Sequence, residues 1–186
     1  MKLPNDMKID AVITWVDGDD PRHKAKREQY GDRRIFAQDD VAGSTRYKSL
    51  GEIFYCIASL NRFAPWLNKI YIVTDEQNPM VEEFLHRHFP EGAIPMEIVD
   101  HKVIFRGYEE YLPTFNSISI ESMTWRIPGL AEHYIEFNDD LILAGAVHLS
   151  HVFVVLDPAF QLFLSVDRQI VVVLQWQAIQ NVVCDR

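Results

Sequence analysis

"IDAVITWVDGDDP", Ile9 to Pro21, opens as a β-branched and aromatic run and then becomes an acidic loop. A run this short and apolar, closed by Asp, Gly and Pro, predicts a buried strand that ends in a loop. The segments beyond it decide the architecture. From Arg46 to Phe63, the residues Leu50, Ile53, Phe54, Ile57, Leu60 and Phe63 recur at helical spacing, which predicts an amphipathic helix stopped before Pro65. "NKIYIVTD" (Asn68 to Asp75) reads as a second buried strand. "NPMVEEFLHRHFP" reads as a helix with Pro79 in its first turn and Pro90 past its end. "PMEIVDH" is a third strand. Residues from about Asn116 to Arg126 fit a helix, although Ile118 and Ile120 also fit strand alternation. "EHYIEF" is the next strand and runs into "NDDLIL". This alternation predicts an α/β fold, a mostly parallel sheet flanked by helices in a Rossmann-like core.

Composition narrows the function. At 186 residues and 48% hydrophobic, the chain can bury one sizeable core, so a single domain is expected. A formal net charge of -9 argues against nucleic acid as a partner, because phosphate backbones are bound by clustered Lys and Arg. Cys56 and Cys184 are far apart and form no CxxC spacing, so neither a disulfide framework nor a zinc site is suggested, and a reducing, cytoplasmic setting is expected. The apolar run near the amino end is too short for a signal peptide or a membrane span. Docking onto a membrane surface remains compatible with it.

Ligands of parallel sheets bind beyond the carboxyl ends of the strands. That rule selects "DGDDP" after the first strand, "TDEQNP" after the second and "NDD" after the last, and all three loops are acidic. Three acidic loops at one sheet edge repel one another unless something cationic sits between them. Hard oxygen ligands favour Mg²⁺, Mn²⁺ or Ca²⁺, and Mg²⁺ characteristically keeps one or two protein carboxylates while water and substrate phosphates complete its shell. A diphosphate substrate fits that spacing.

Each signal has a plainer counterpart. Asp and Asn are common caps and turn residues for local hydrogen-bonding reasons, which covers "DGDDP" and "TDEQNP". "FNDD" between two apolar runs is harder to explain so, because burying a carboxylate without a partner is costly. The seven histidines form no HxxxH or HExxH arrangement. His86 and His88 read as a helix terminus, and His101 and His133 as satisfied structural groups. Trp15, Trp66 and Trp125 read as core.

Three stretches together carry a resemblance: "IDAVITWVDGDDP", "TRYKSLGEIFYCIASLNRFAPWLNKIYIVTDEQNP" and "LPTFNSISIESMTWRIPGLAEHYIEFNDDLIL". In order and spacing they resemble the opening regions of the Stealth family, which comprises bacterial capsular polysaccharide phosphotransferases and the animal N-acetylglucosamine-1-phosphotransferase of lysosomal enzyme tagging. The resemblance implies transfer of a hexose or N-acetylhexosamine 1-phosphate from a nucleotide diphosphate sugar, with UDP-N-acetylhexosamine as the expected donor. The acceptor would be a glycan hydroxyl in capsular or surface polysaccharide synthesis, and a nucleoside monophosphate would leave. It also implies a cytoplasmic location, at the inner face of the membrane beside a polysaccharide assembly complex.

The resemblance implies a site as well. Asp139 and Asp140 match the family's acidic motif and are expected to hold a divalent metal, Mg²⁺ or Mn²⁺, with Asn138 supporting them; Asp139 is also expected at the chemistry. Asp17 is expected to be catalytic and Asp20 to shape the nucleotide-sugar pocket, with Trp15 beside the substrate and Gly18 allowing close backbone approach. Asn116, Ser117 and Glu121 match the motif before "RIPGL": the first two are expected to bind substrate, at the free N–H groups of a helix start, and Glu121 to act in catalysis. Arg46 and Arg126 match basic positions that face the diphosphate or form structural salt bridges.

The carboxyl-terminal part departs from the family. Members continue with a proline-containing segment into a "DFF"-like motif and then through regions supplying a histidine and an arginine held to be catalytically important. Here neither appears, and nothing around His148 or His151 matches the pattern. From Leu141 to Arg186 the only Asp, Glu, Lys or Arg residues are Asp157, Asp167, Arg168, Asp185 and Arg186. The expectation is therefore a core over residues 1–143 and an atypical apolar tail over 144–186, as in a truncated or frame-altered member. The alternative function is then a catalytically incomplete nucleotide-sugar-binding fragment; a glycosyltransferase moving the sugar itself is a third reading. The tail's "VFVVL", "FQLFL" and "IVVVLQW" have strand-forming composition and could complete the sheet, form an interface or aggregate.

Overall fold

In a computed structural model of the chain, residues 7–31 and 49–148 are described, together with the backbone of two strands, Leu162–Val166 and Gln169–Gln175. Arg46, His151, Cys184 and the "VFVVL" stretch lie outside the described residues.

The first strand, β1, spans Ile9–Thr14 and pairs in parallel with β2 (Lys69–Thr74) on one side and β4 (His133–Asn138) on the other. β3 (Met96–Asp100) extends the sheet beyond β2, again in parallel. Two of the tail's apolar stretches complete the sheet: β6 (Gln169–Gln175) pairs antiparallel with β4, and β5 (Leu162–Val166) pairs antiparallel with β6. The spatial order is β3-β2-β1-β4-β6-β5. The chain leaves β1 toward β2 and β3, then returns to place β4 on the opposite side. The carboxyl ends of β1 and β4 therefore flank the point where strand order reverses, the usual crevice of such sheets.

Both faces of the parallel part are covered, as its continuous apolar strands require. On one face Ile9, Ala11, Ile13, Ile70, Ile72, Ile135 and Phe137 pack with helix α2 (Glu52–Phe63) through Ile53, Cys56, Ile57 and Leu60. α3 (Glu82–His88) adds Leu85 to the same cluster. On the other face Val12, Tyr71, Val73, Val99 and Tyr134 pack with Ile104, Phe105, Ile120 and Ile127. The alternation of Ile13 with Val12, and of Ile72 with Tyr71, follows from the two-residue strand period.

The expected helices are shorter than their sequence patterns. α2 starts at Glu52 because Gly51 stands at φ +89°, and Leu50 is left 72% exposed instead of joining the apolar face. α3 starts at Glu82, beyond Pro79. Between Asn116 and Arg126 the chain forms the short helix α5 (Ser117–Glu121) and a 3-10 turn at Thr124–Arg126. α4 (His101–Ile104) follows β3 without a gap. Neither α4 nor α1, Pro21–Tyr30, had a signature in the apolar pattern, and the single buried residue of α1 is His23. Among the described residues no helix is long and apolar enough to cross a membrane.

At the amino end of β1, Asp10 is fully buried and its carboxylate accepts from Asn68 Nδ2 and from the Ala131 N–H, both at 2.7 Å. One side chain thereby joins the start of β1 to the segments that enter β2 and β4.

Candidate ligand cavity at the carboxyl ends of the strands

The three acidic loops do converge on one sheet edge, but in two of them carboxylates are engaged by the chain itself: Asp20 in the first, Asp75 and Glu76 in the second. α1 is capped by Asp20, whose carboxylate accepts the N–H groups of Arg22 at 2.8 Å and His23 at 3.2 Å, with Pro21 in the first turn. The Arg22 guanidinium and these N–H groups hold the Asp20 carboxyl below its usual range. Asp20, expected in the pocket, is thus a helix cap outside the cavity lining. In the second loop Lys26 of α1 contacts Asp75 Oδ1 and Glu76 Oε2, each at 2.8 Å, and Lys102 pairs with Glu76 as well. The two lysines hold the Glu76 carboxyl down at about 2.

The loop after β1 is braced through its backbone. Asp17 N–H donates to Gln77 Oε1 at 2.8 Å, Gln77 Nε2 donates back to the Asp17 carbonyl at 2.9 Å, and Asp17 Oδ1 accepts the Asp19 N–H. Gly18 is buried and its carbonyl accepts from Arg27. Asp17 and Gly18 therefore shape the edge of the site without lining its cavity.

The third loop is different. Among the described residues neither Asp139 nor Asp140 is paired with Lys or Arg. Burial first, and then the neighbouring Asp140 charge, push the Asp139 carboxyl up to about 6. Beneath the loop lies the Cys56 thiol of α2, 3.7 Å from the Asn138 carbonyl; burial and these two carboxylates push it up to about 12. The segment after the pair folds back on α2: Leu143 N–H donates to Ser59 Oγ, Val147 N–H to the Phe63 carbonyl, and Trp66 Nε1 to the Val147 carbonyl.

Beside this loop is a cavity of about 310 Å³. Trp15, Asn138, Asp139, Asp140 and Ser117 all line it, so five of the expected site residues come together. Trp15 is both core and wall: it is 8% exposed, and its indole Nε1 lies 3.4 Å from Ser49 Oγ. Asn116 is not among the lining residues. Its side chain caps α5 by accepting from Ile118 and Ser119 N–H, so the helix start offers fewer free donors than the pattern suggested. Glu121 lies outside the lining. So does Arg126, whose guanidinium stacks 4.9 Å from the Tyr108 ring centroid and donates to the Arg106 carbonyl at 2.6 Å; among the described residues it forms no salt bridge.

The lining also contains residues that no sequence motif singled out: Thr114, Phe115, His23 and His101. His101 sits directly beyond β3, so the strand-end rule that selected the other three loops would have selected it too. His23 is presented by α1 and meets Phe115 edge-on, ring centroids 5.6 Å apart. Both imidazoles are 4% exposed.

A further buried acid lies on β4. Thr124 Oγ1 is within hydrogen-bond distance of both the Glu121 carbonyl and the Glu136 carboxyl. A hydroxyl has one proton to donate, so a protonated Glu136 donating to Thr124 satisfies both contacts. In agreement, burial pushes the Glu136 carboxyl up to about 7.

Fold and cavity together define an α/β protein with a ligand crevice at the switch point of a parallel sheet, walled on one side by adjacent carboxylates. The chain belongs to the Stealth family: residues 7–34 match Stealth protein CR1, conserved region 1, and residues 46–174 match Stealth protein CR2, conserved region 2. It is 38% identical over 150 residues to the capsular polysaccharide phosphotransferase LcbA of Neisseria meningitidis, covering 78% of this chain and 38% of that protein. It is 45% identical over 139 residues to an exopolysaccharide phosphotransferase of Streptomyces coelicolor, covering 75% of this chain and 24% of the relative. With the receptor polysaccharide phosphotransferase WefC of Streptococcus oralis the identity is 38% over 140 residues, 75% of this chain and 40% of that protein. The chain thus spans well under half the length of these relatives.

Proposed function

We propose that the chain forms the donor-binding part of a sugar-1-phosphate transferase of capsular or surface polysaccharide synthesis. In this reading it takes a hexose or N-acetylhexosamine 1-phosphate from a nucleotide diphosphate sugar, with UDP-N-acetylhexosamine as the expected donor, and passes it to a glycan hydroxyl with release of a nucleoside monophosphate. The observation that carries it is the pair Asp139 and Asp140 at the end of β4, without a Lys or Arg partner among the described residues and lining a cavity at the switch point. Family membership and the names of the relatives point the same way.

The residues present suit a divalent ion, Mg²⁺ or Mn²⁺. Among the described residues no group of three His, Cys, Asp or Glu is placed to hold a metal, and a site that keeps two carboxylates and takes its other ligands from water and phosphate needs no third. Asp139 and Asp140 would hold the ion with Asn138 beside them, and when bound it would supply neutralisation of diphosphate charge. The chain's own residues do the rest. Trp15 and Phe115 wall the cavity and restrict water, while Thr114 and Ser117 offer hydroxyls to orient phosphate or sugar oxygens. The reading also includes a cytoplasmic setting at the inner face of the membrane, with which the free, buried Cys56 is compatible.

The test is calorimetric titration with UDP-N-acetylglucosamine, with and without Mg²⁺, and then product analysis in the presence of glycan acceptor. Metal-dependent binding with UMP as product supports the proposal. UDP as product would make the chain a transferase of the sugar itself, and absence of binding to any nucleotide sugar would refute the reading.

A further inference from the structure

Building on that reading, we propose that His101 and His23 form the cationic wall that grips the donor's diphosphate, and that donor binding therefore takes up protons. A diphosphate is strongly anionic, and the opposite wall is already acidic through Asp139 and Asp140. Yet among the described residues no Lys or Arg lines the cavity. Lys26 is engaged by Asp75 and Glu76, and the Arg126 guanidinium meets Tyr108 and the Arg106 carbonyl. The two imidazoles are the groups in the lining that can become positive.

Their surroundings allow the change. Burial lowers the pKa of both histidines, which keeps them neutral near pH 7 while the cavity holds no anion. The charges facing His101 are Asp75, Asp100, His23 and Lys26; those facing His23 are Asp75, Arg27, Lys26 and Asp20. In each case Asp75 is the foremost of the charges, and it favours the protonated ring. Among the described residues Asp75 Oδ2 is buried without a hydrogen-bond partner, while Oδ1 meets Lys26. An arriving diphosphate adds negative charge on the cavity side, and protonation then converts a neutral contact into a charge-assisted hydrogen bond. Two carboxylates with an ion on one wall and two proton-loaded imidazoles on the other would hold the anionic group from both sides.

The experiment is calorimetric titration with UDP-N-acetylglucosamine, and separately with UDP, in two buffers of different ionisation enthalpy just above neutral pH. Mg²⁺ is kept saturating throughout, so that protons displaced from Asp139 by the ion are already gone. The expected result is net proton uptake, with affinity falling about tenfold per pH unit for each imidazole involved. His101→Gln should lower affinity about tenfold and remove part of the uptake, and His23→Gln should act in the same direction. Wild-type binding without proton uptake, or a folded His101→Gln variant with unchanged affinity and uptake, overturns the proposal and leaves the donor-binding reading standing. A wild-type chain that binds neither ligand removes both. Should His101→Gln fail to fold, the imidazole signals of wild-type His101 by NMR decide: they should titrate at higher pH with UDP bound, and signals that do not move overturn the assignment.

Discussion

Gln77 clasps Asp17 at two points, accepting its N–H at 2.8 Å and donating to its carbonyl at 2.9 Å. The residues are 60 apart in sequence, and the contact locks the loop after β1 to the loop after β2. Replacing Gln77 with Ala frees both backbone groups. We expect a loss of about 1 to 2 kcal/mol in stability and weaker donor binding, read by thermal unfolding and calorimetry. Gln77→Glu should retain only the bond from the Asp17 N–H, because a carboxylate has no proton to return to the carbonyl.

For the carboxylate pair, Asp139→Ala or Asp140→Ala should abolish the Mg²⁺ dependence of donor binding while the fold is retained by circular dichroism. The pH dependence has a definite sign. A carboxyl held at about 6 in the folded chain is protonated below that value, so ion-dependent binding should fade as pH drops through 6. Without ion, the raised pKa means that stability is highest below the carboxyl's ordinary 3.8 and declines as pH rises through about 6. Asp139→Asn should therefore be more stable than the wild type at pH 8 by about 1 kcal/mol, the partial exposure of the group limiting the gain.

Glu136 gives a second pH signature. Its carboxyl rises from 4.5 to about 7 on folding, so its contribution to stability is full below 4.5 and is lost as pH passes through 7. Glu136→Gln keeps a donor for Thr124 and removes the titration. The variant should gain about 1 to 3 kcal/mol at pH 8 and little at pH 4, measured by urea unfolding at the two pH values.

Asp75 belongs to the second loop but reaches the cavity through its charge. Asp75→Ala should reduce donor affinity less than Asp139→Ala, because it touches neither proposed ion nor phosphate. It should move proton-linked binding to lower pH, since it removes the foremost charge that favours both imidazolium rings. Isothermal titrations across pH would resolve the two effects.

β1 and β2 were readable because each is a β-branched run with a sharp polar end, and burial on both faces leaves such runs little ambiguity. Asp139 and Asp140 were readable for the same reason: they interrupt an apolar run at a strand end. α1 was hidden because nine of its ten residues pack no apolar face; only the cap at Asp20 and Pro21 marks it, and those same residues look like a turn. His23 was hidden with it. Leu50 misled because helical spacing continues back through it, while Gly51 at positive φ makes the helix begin only at Glu52 and leaves Leu50 outside it. Arg126 matched a basic position, yet the Tyr108 ring it stacks against, 18 positions away, comes from a contact no linear pattern reveals.

The buried carboxylate of Asp10 binds partners 58 and 121 positions away along the chain. Each contact waits on a long closure of its own and the pair is complete only when both have been made; such distant closures come late in assembly because their entropic cost precedes their reward. Asp10 thus behaves as a latch that engages after the folding barrier. Asp10→Asn should leave the refolding arm of a chevron plot nearly in place and steepen the loss on the other side, with the chain unfolding faster while folding at an almost unchanged rate.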